Sequence, residues 1–327
     1  MRVGFYGFGA ISRYIARVVL ERGWEITGAV DISPRLIGRD IGFLLGIEKY
    51  GVKVTSSPDT LRGSDVVFHA TGSWLDRVFD QLVTLARLRV DVVSTCETLA
   101  YPYYRYPEIA EKLDREAKSN NVTIVGAGIN PGFVLDVLPV VVSASLSSIE
   151  RVYAVRSLDA SKRRKPFQHK VGIGMNPSEY VERLKRRELT GHVGYAESIY
   201  LIGRALGVSF TKVEEGQEPL VAEEHIIIGD VEIEKGLVKG IRGYGYGYVD
   251  GERIVTLELY AYAGAEEYEE IVVEGSGYTI KWRSTGTPGD IGTASVVVNL
   301  AETVHEHEPG LVTVVDLLPF RPRFKKL

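Results

Sequence analysis

The stretch VVSTCETLAYP, residues 92–102, sets a carboxylate, Glu97, directly after the only cysteine, Cys96. An apolar run ends in Ser94, Thr95 and Cys96, and the chain then turns through Ala100, Tyr101 and Pro102. A carboxylate at the end of a buried strand has two uses. It can sit solvated in a strand–helix loop, or it can hold a cationic nitrogen in a partly dry pocket and exchange a proton with it. Cys96 has no histidine close in sequence, so it reads as a small packing residue rather than a nucleophile. Thr95 and Cys96 end the same strand and are expected to contact a bound cofactor.

A second group lies at the N-terminus. Gly7-Phe8-Gly9-Ala10-Ile11-Ser12 fits G-x-G-x-x-G/A with Ser in the last place. The first glycine permits a tight turn and the second lets backbone approach a pyrophosphate. The small third residue allows close helix–strand packing. The phosphates then meet the N–H groups and dipole of a helix N-terminus. Asp31 follows at the end of the next apolar strand, where a ribose hydroxyl is usually gripped. Its charge favours NAD, whereas Ser33 and Arg35 can accept a 2′-phosphate, so both NAD and NADP stay open. Ala70-Thr71-Gly72-Ser73, after His69, forms another small, hydroxylated strand end suited to a nicotinamide ribose. His69 reads as a core or supporting residue. Asn130 stands after a later strand, in Asn130-Pro131-Gly132-Phe133, either as a helix cap or as a cofactor contact. Phe133 and Val134 are expected as pocket wall, because domain junctions favour ligand sites. Asp290 and Thr293 either cap a late helix or face the carboxamide of the nicotinamide. No Cys/His cluster has zinc spacing, no acidic loop suits calcium, and no G-x-S-x-G elbow occurs, so no metal is expected.

These groups need strands and helices to hold them. Apolar runs at 1–7, 24–31, 65–72, 90–95 and 122–128 alternate with helical patterns at 10–23, 74–89 and 106–120. Strand–helix alternation with continuous apolar strands implies a parallel sheet covered on both faces. The second half differs. Residues 130–145 read as helix despite Pro139, as do 177–188 and 192–206. From about 208 to 283 the pattern is strand-like, with RGYGYGYVDGER read as Gly-rich turns, which implies an antiparallel meander. Helix returns at 289–304 and an apolar strand at 311–318. The fold class expected is α/β: an N-terminal Rossmann domain with a parallel sheet, plus a second α+β domain with a mostly antiparallel sheet.

The bulk properties agree. The 327 residues suit two domains, and a net charge of −4 gives no electrostatic footprint for nucleic acid. A single cysteine excludes an internal disulfide. The apolar start leaves no room for a leader, and no run reaches membrane-spanning length; a soluble, cytoplasmic protein is expected. Few Asn, Gln, Met and Cys beside many Arg, Glu and Tyr point to a heat-adapted, thermophilic source.

A resemblance runs through STCETLAYP (94–102), GAGINPGFVLDVLP (126–139), DASKRRKPFQHKVGIG (159–174), GHVGYAES (191–198) and GDIGTASVVVNLAETV (289–304). As a set these blocks resemble the 2,4-diaminopentanoate dehydrogenases and the related native amine dehydrogenases, on a plan similar to dihydrodipicolinate reductase. The family's cysteine block is Cys-Glu-Glu; here it is Cys96-Glu97-Thr98. The His-His and Lys signature of dihydrodipicolinate reductases is absent. The resemblance implies NAD(P)H-dependent oxidative deamination of an amine, or reductive amination of a ketone with ammonia, with Glu97 catalytic. It also implies a homodimer formed through the substrate-domain sheet. Gln168, Lys170 and His192 fall in the shared blocks and are expected at the substrate pocket; His192 otherwise caps or packs a helix start. The Lys162–Lys165 charge run reads as a solvated face. The expected domains are 1–129 for the dinucleotide, completed by 289–327, and 130–288 for substrate and dimerisation. The rival readings are an imine or aldehyde reductase and a nucleotide-sensing Rossmann protein.

Overall fold

The computed structural model describes residues 1–318. The expected completion of the first domain to residue 327 extends past them. Strands form in chain order: β1 (Arg2–Tyr6), β2 (Glu25–Val30), β3 (Val54–Thr55), β4 (Val66–His69), β5 (Asp91–Ser94) and β6 (Thr123–Gly126). Then come β7 (Ile149–Asp159), β8 (Lys212–Val221), β9 (Ile226–Ile228), β10 (Val231–Ile233) and β11 (Val238–Val249). β12 (Glu252–Tyr262), β13 (Tyr268–Gly275), β14 (Thr279–Ser284) and β15 (Gly310–Thr313) complete the set. The chain divides into two compact units, Met1–Phe133 with the return from Pro288, and Val134–Thr287.

The first unit is built on a parallel seven-stranded sheet, ordered β15-β6-β5-β4-β1-β2-β3. Its apolar strands are buried through Val3, Phe5, Val67, Phe68, Val92, Val93, Ile124 and Val125. Helix Ala10–Glu21 packs against helix Gly289–His305, and Leu75–Arg87 packs against Pro107–Asn120. Helix Leu75–Arg87 buries Val78, Leu82 and Leu85 at helical spacing. Each such side chain contributes about 1.5–3 kcal/mol on burial. The strand order reverses between β1 and β4, and in such sheets ligands bind outside the carboxyl ends at that point.

The second unit carries a six-stranded sheet, ordered β14-β13-β7-β12-β11-β8. Every pairing in it is antiparallel except β12 with β7. The Gly-Tyr run is not a turn. Residues 242–249 lie inside β11, and the chain reverses only at Asp250 and Gly251. Alternation explains this: Gly243, Gly245 and Gly247 face helix Tyr195–Leu206, and the tyrosines take the other face. A Cβ on Gly243 would overlap the Tyr195 hydroxyl, so the missing side chain lets the helix lie directly on the strand.

Other expectations shift. Residues 130–145 do not form one helix. A turn spans 130–136, Asp136 caps Val137–Val142 through its own carboxylate, and a short 3-10 turn follows. Pro131 therefore lies outside the helix, and its bond with Asn130 is cis. The apolar segment 311–318 is strand only to Thr313 and then a 3-10 turn, Val314–Leu317. Within the second unit, Arg156 and Glu269 form a buried ion pair at 3.3 Å. Glu269 also accepts from Ser284 Oγ and from Thr287 N at 2.8 Å, and Arg156 donates to Thr287 O at 2.7 Å. The pair thereby anchors the last residues of that unit.

Candidate active site

The carboxyl ends of β1, β4 and β5 are tied in series. Ala70 N donates to Tyr6 O, and Thr95 N donates to His69 O, both at 2.9 Å. This brings the glycine loop, residues 70–73 and the Glu97 turn to neighbouring strand ends within one unit. Gly7 has φ +87°, and a Cβ there would meet Ala70 O at 2.7 Å and Thr71 Cγ2 at 2.9 Å. Only glycine allows that approach. Gly9 has the opposite surroundings: a Cβ on it would have nothing within 4 Å. It caps helix Ala10–Glu21, which has no side-chain cap and no acid in its first turn.

The residues expected to bind cofactor divide accordingly. Gly9, Ala10 and Ile11 stand at the open helix start. Phe8 does not: its ring is buried edge-on to Phe5, and its N–H donates to Asp31 Oδ2 at 2.8 Å. Ser12 is also buried, and its hydroxyl donates to Gly7 O at 2.6 Å, closing the loop from inside. Asp31 takes a second backbone donor, Ser33 N, at 2.8 Å. Its carboxylate is thus fixed between the glycine loop and the turn that carries the exposed Arg35. Thr71 and Gly72 are exposed, and Ala70 and Ser73 half-buried. Asn130 is buried. Thr293 accepts from Ile129 N at 3.4 Å and does not cap its helix, where Pro288 takes the cap position.

Glu97 is half-buried and opens a 3-10 turn, Glu97–Leu99. Cys96 beside it is buried, and burial with the adjacent Glu97 charge pushes its thiol up to about 12. It packs and does not ionise. Thr98, in the position of the missing second acid, is fully buried. Its hydroxyl donates to Ser73 O at 3.1 Å and accepts from Leu75 N at 2.8 Å. Sequence reasoning gave Thr98 no role, because both partners lie more than twenty residues away. It also missed Arg13, whose buried Nε has no hydrogen-bond partner among the described residues.

Within the second unit, Val134 is buried in the interior. Phe133, the last residue of the first unit's opening segment, is half-buried. Gln168 donates to Ser161 O and Arg163 O, both at 2.9 Å, so its amide nitrogen holds the preceding loop. Lys170 ends the same short helix, Lys165–Lys170, half-buried. His192 precedes helix Tyr195–Leu206 without capping it; Gly194 takes that position. The His192 ring packs edge-on to Tyr195 at 4.8 Å, and the His192 backbone N–H donates to Gln217 Oε1 at 3.0 Å. His225, Glu232 and Glu234 bring ligand atoms together around the β9–β10 hairpin, but all three are exposed and His225 pairs with Glu232 at 3.1 Å.

Residues 133–322 match the family model of the 2,4-diaminopentanoate dehydrogenase C-terminal domain, more than half of the chain. The chain belongs to the 2,4-diaminopentanoate dehydrogenase family. A 2,4-diaminopentanoate dehydrogenase of Acetoanaerobium sticklandii is 29% identical over 340 residues, covering 97% of this chain and 93% of that protein. An amine dehydrogenase of Streptomyces virginiae is 23% identical, covering 98% and 97%. The fold is similar to an amine dehydrogenase structure from Mycobacterium smegmatis, with a TM-score of 0.86 over 99% of this chain and 98% of that one, at 23% identity. Among the described residues of this diaminopentanoate dehydrogenase family member, no helix is long and apolar enough to cross a membrane.

Proposed function

We propose that the protein is an NAD(P)-dependent dehydrogenase acting on a primary amine, by oxidative deamination or the reverse reductive amination. The observation that carries the reading is the half-buried Glu97 at the carboxyl end of β5, on the same edge of the sheet as the glycine loop after β1 and separated from it by β4. The named activities of the two curated relatives support the substrate class. The residues fit a dinucleotide. Gly9 leaves open space over an uncapped helix start, and the unpartnered Arg13 Nε adds cationic character nearby.

Gly9, Ala10 and Ile11 would hold the pyrophosphate, Asp31 with Ser33 and Arg35 the adenosine ribose, and Ala70–Ser73 with Thr95 the nicotinamide side. When bound, the nicotinamide supplies the two-electron chemistry. Glu97 handles the proton. In deamination its carboxylate takes a proton from the substrate ammonium and frees the nitrogen lone pair. In amination it holds ammonia and then stabilises the cationic nitrogen.

We assign dinucleotide binding to the first unit and substrate recognition to the second. We also assign to the second unit a contact with another copy of the chain. The face of its sheet away from helix Tyr195–Leu206 carries Tyr153, Tyr244, Tyr246, Tyr260 and Tyr268, with Arg242 paired to Glu258 at 2.7 Å. Tyr and Arg are the residues that protein interfaces favour. Sedimentation tests the dimer, and a monomer at micromolar concentration would refute it.

The test of function is a panel of amines and ketones assayed with each dinucleotide by nicotinamide absorbance. Carbonyl reduction should require ammonium. Reduction without ammonium would favour an imine or aldehyde reductase. Tight dinucleotide binding with no turnover would favour a sensor.

A further inference from the structure

His69 is fully buried at the end of β4, and both ring nitrogens are engaged. Nε2 lies 2.9 Å from Gln81 Oε1 and 2.9 Å from Thr71 Oγ1. Nδ1 lies 2.8 Å from Ser94 Oγ. Ser94 Oγ also accepts Cys96 N–H at 3.1 Å, and Thr71 Oγ1 donates to Gln81 Oε1 at 2.6 Å. A carbonyl oxygen only accepts, so Nε2 must carry the proton that faces Gln81. Nδ1 then accepts from the Ser94 hydroxyl, which in turn accepts from Cys96. Donation runs one way, from the backbone before Glu97 to helix Leu75–Arg87, and every donor is used. The other neutral tautomer sets the Nε2 lone pair against the Gln81 oxygen. The imidazolium leaves the Ser94 hydroxyl proton unplaced. Burial holds the ring down to about 4, which keeps it neutral near pH 7.

We propose that His69 is a positioning residue: as the Nε2–H imidazole it locks the Glu97 turn and the loop at residues 70–73 into one register. This rests on the reading of Glu97 as the proton-handling group. Thr71 and Gly72 are exposed, so the loop at residues 70–73 has little apolar packing of its own, whereas the Glu97 turn is seated in the core by Cys96 and Leu99. Polar ties register that loop against the turn: His69 with Ser94 at the strand ends, and Thr98 with Ser73 and Leu75 beyond them, beside the backbone bond from Thr95 to His69. A displacement of about 1 Å at a reacting group can cost on the order of 10²-fold in rate.

The experiment has two arms on the full chain. In ¹⁵N NMR near pH 7, His69 should show a pyrrole-like Nε2 and a pyridine-like Nδ1. A protonated Nδ1 overturns the proposal. In kinetics, His69→Phe and Ser94→Ala, each checked for folding by circular dichroism, should lower kcat by about 10–100-fold with dinucleotide Kd nearly unchanged. The double variant should lose no more than His69→Phe alone. Unchanged kcat, or losses that multiply, overturns the coupling; if His69→Phe fails to fold, Ser94→Ala alone decides the kcat arm. If the wild-type protein turns over no amine, the dehydrogenase reading fails by itself. The coupling is then read in the fluorescence lifetime of bound NADH, which both variants should change, and an unchanged lifetime overturns it.

Discussion

Replacing Glu97 by Gln keeps the side chain's shape and removes its charge and basicity. A positioned acid–base group contributes typically 10²–10⁴-fold, so kcat for deamination should fall by about that factor in Glu97→Gln. Dinucleotide affinity should hold near wild type, and near-normal turnover by the folded variant would return Glu97 to an ordinary loop acid. Gly9→Val makes a separable prediction. A Cβ there has no protein atom within 4 Å beyond its chain neighbours, so the melting temperature should barely move, while bulk in the open space should weaken dinucleotide binding at least about tenfold. Fluorescence titration checks it; unchanged affinity would displace the pyrophosphate from this loop. The placement of Gly7, Gly9 and Asp31 at a strand–helix turn and the next strand's end was legible because the motif is local and its spacing implies that turn. Phe8 and Ser12 could not be sorted the same way. Their backbone or hydroxyl bonds run inward to Asp31 and Gly7, and a motif does not say which positions face inward.

Strand β11 shows where local pattern misleads. Glycine and tyrosine in alternation look like turn chemistry, yet here alternation sorts them onto two faces of a strand. The deciding fact is a distant helix pressed onto the glycine face, and no local window contains it. The parallel sheet was readable because strands buried on both sides carry continuous apolar runs. The short β3 was missed because two residues give no period. Residues 130–136 were misread for the reverse reason: apolar composition suggested a helix, and Gly132 and Pro131 instead formed a turn ahead of the Asp136 cap. The helix–strand contact predicts that Gly243→Ala forces a methyl group into the Tyr195 hydroxyl. Overpacking costs about 1–3 kcal/mol, so the melting temperature should drop by several degrees. Tyr195→Phe in the same chain should recover part of the loss. A Gly243→Ala protein as stable as wild type would mean that the helix yields without cost.

Stability of the whole molecule should depend on acid through His69. Its folded value, about 4, lies below the ordinary 6.5, so the unfolded chain takes up the proton first as pH falls. The contribution is fully present above pH 6.5 and is lost down to about pH 4, to the extent of ~3 kcal/mol. Urea unfolding across this range should show a slope in wild type that flattens by close to one proton in His69→Phe; equal slopes would refute it. The split first unit has a consequence of another kind. β6 pairs with β15, yet all of Val134–Thr287 is synthesised between them. At about 5–20 residues per second, the ribosome leaves one side of β6 open for roughly 10–40 s. The six-stranded sheet of the unit translated second is therefore fully synthesised before the seven-stranded sheet that begins the chain. On ribosomes stalled with residue 287 just outside the exit tunnel, the second unit should resist protease while the first is cut. Equal resistance of both would mean that the sheet closes without its last strand. A nascent chain in this state carries an open parallel edge, a template for mispairing that only the final segment removes.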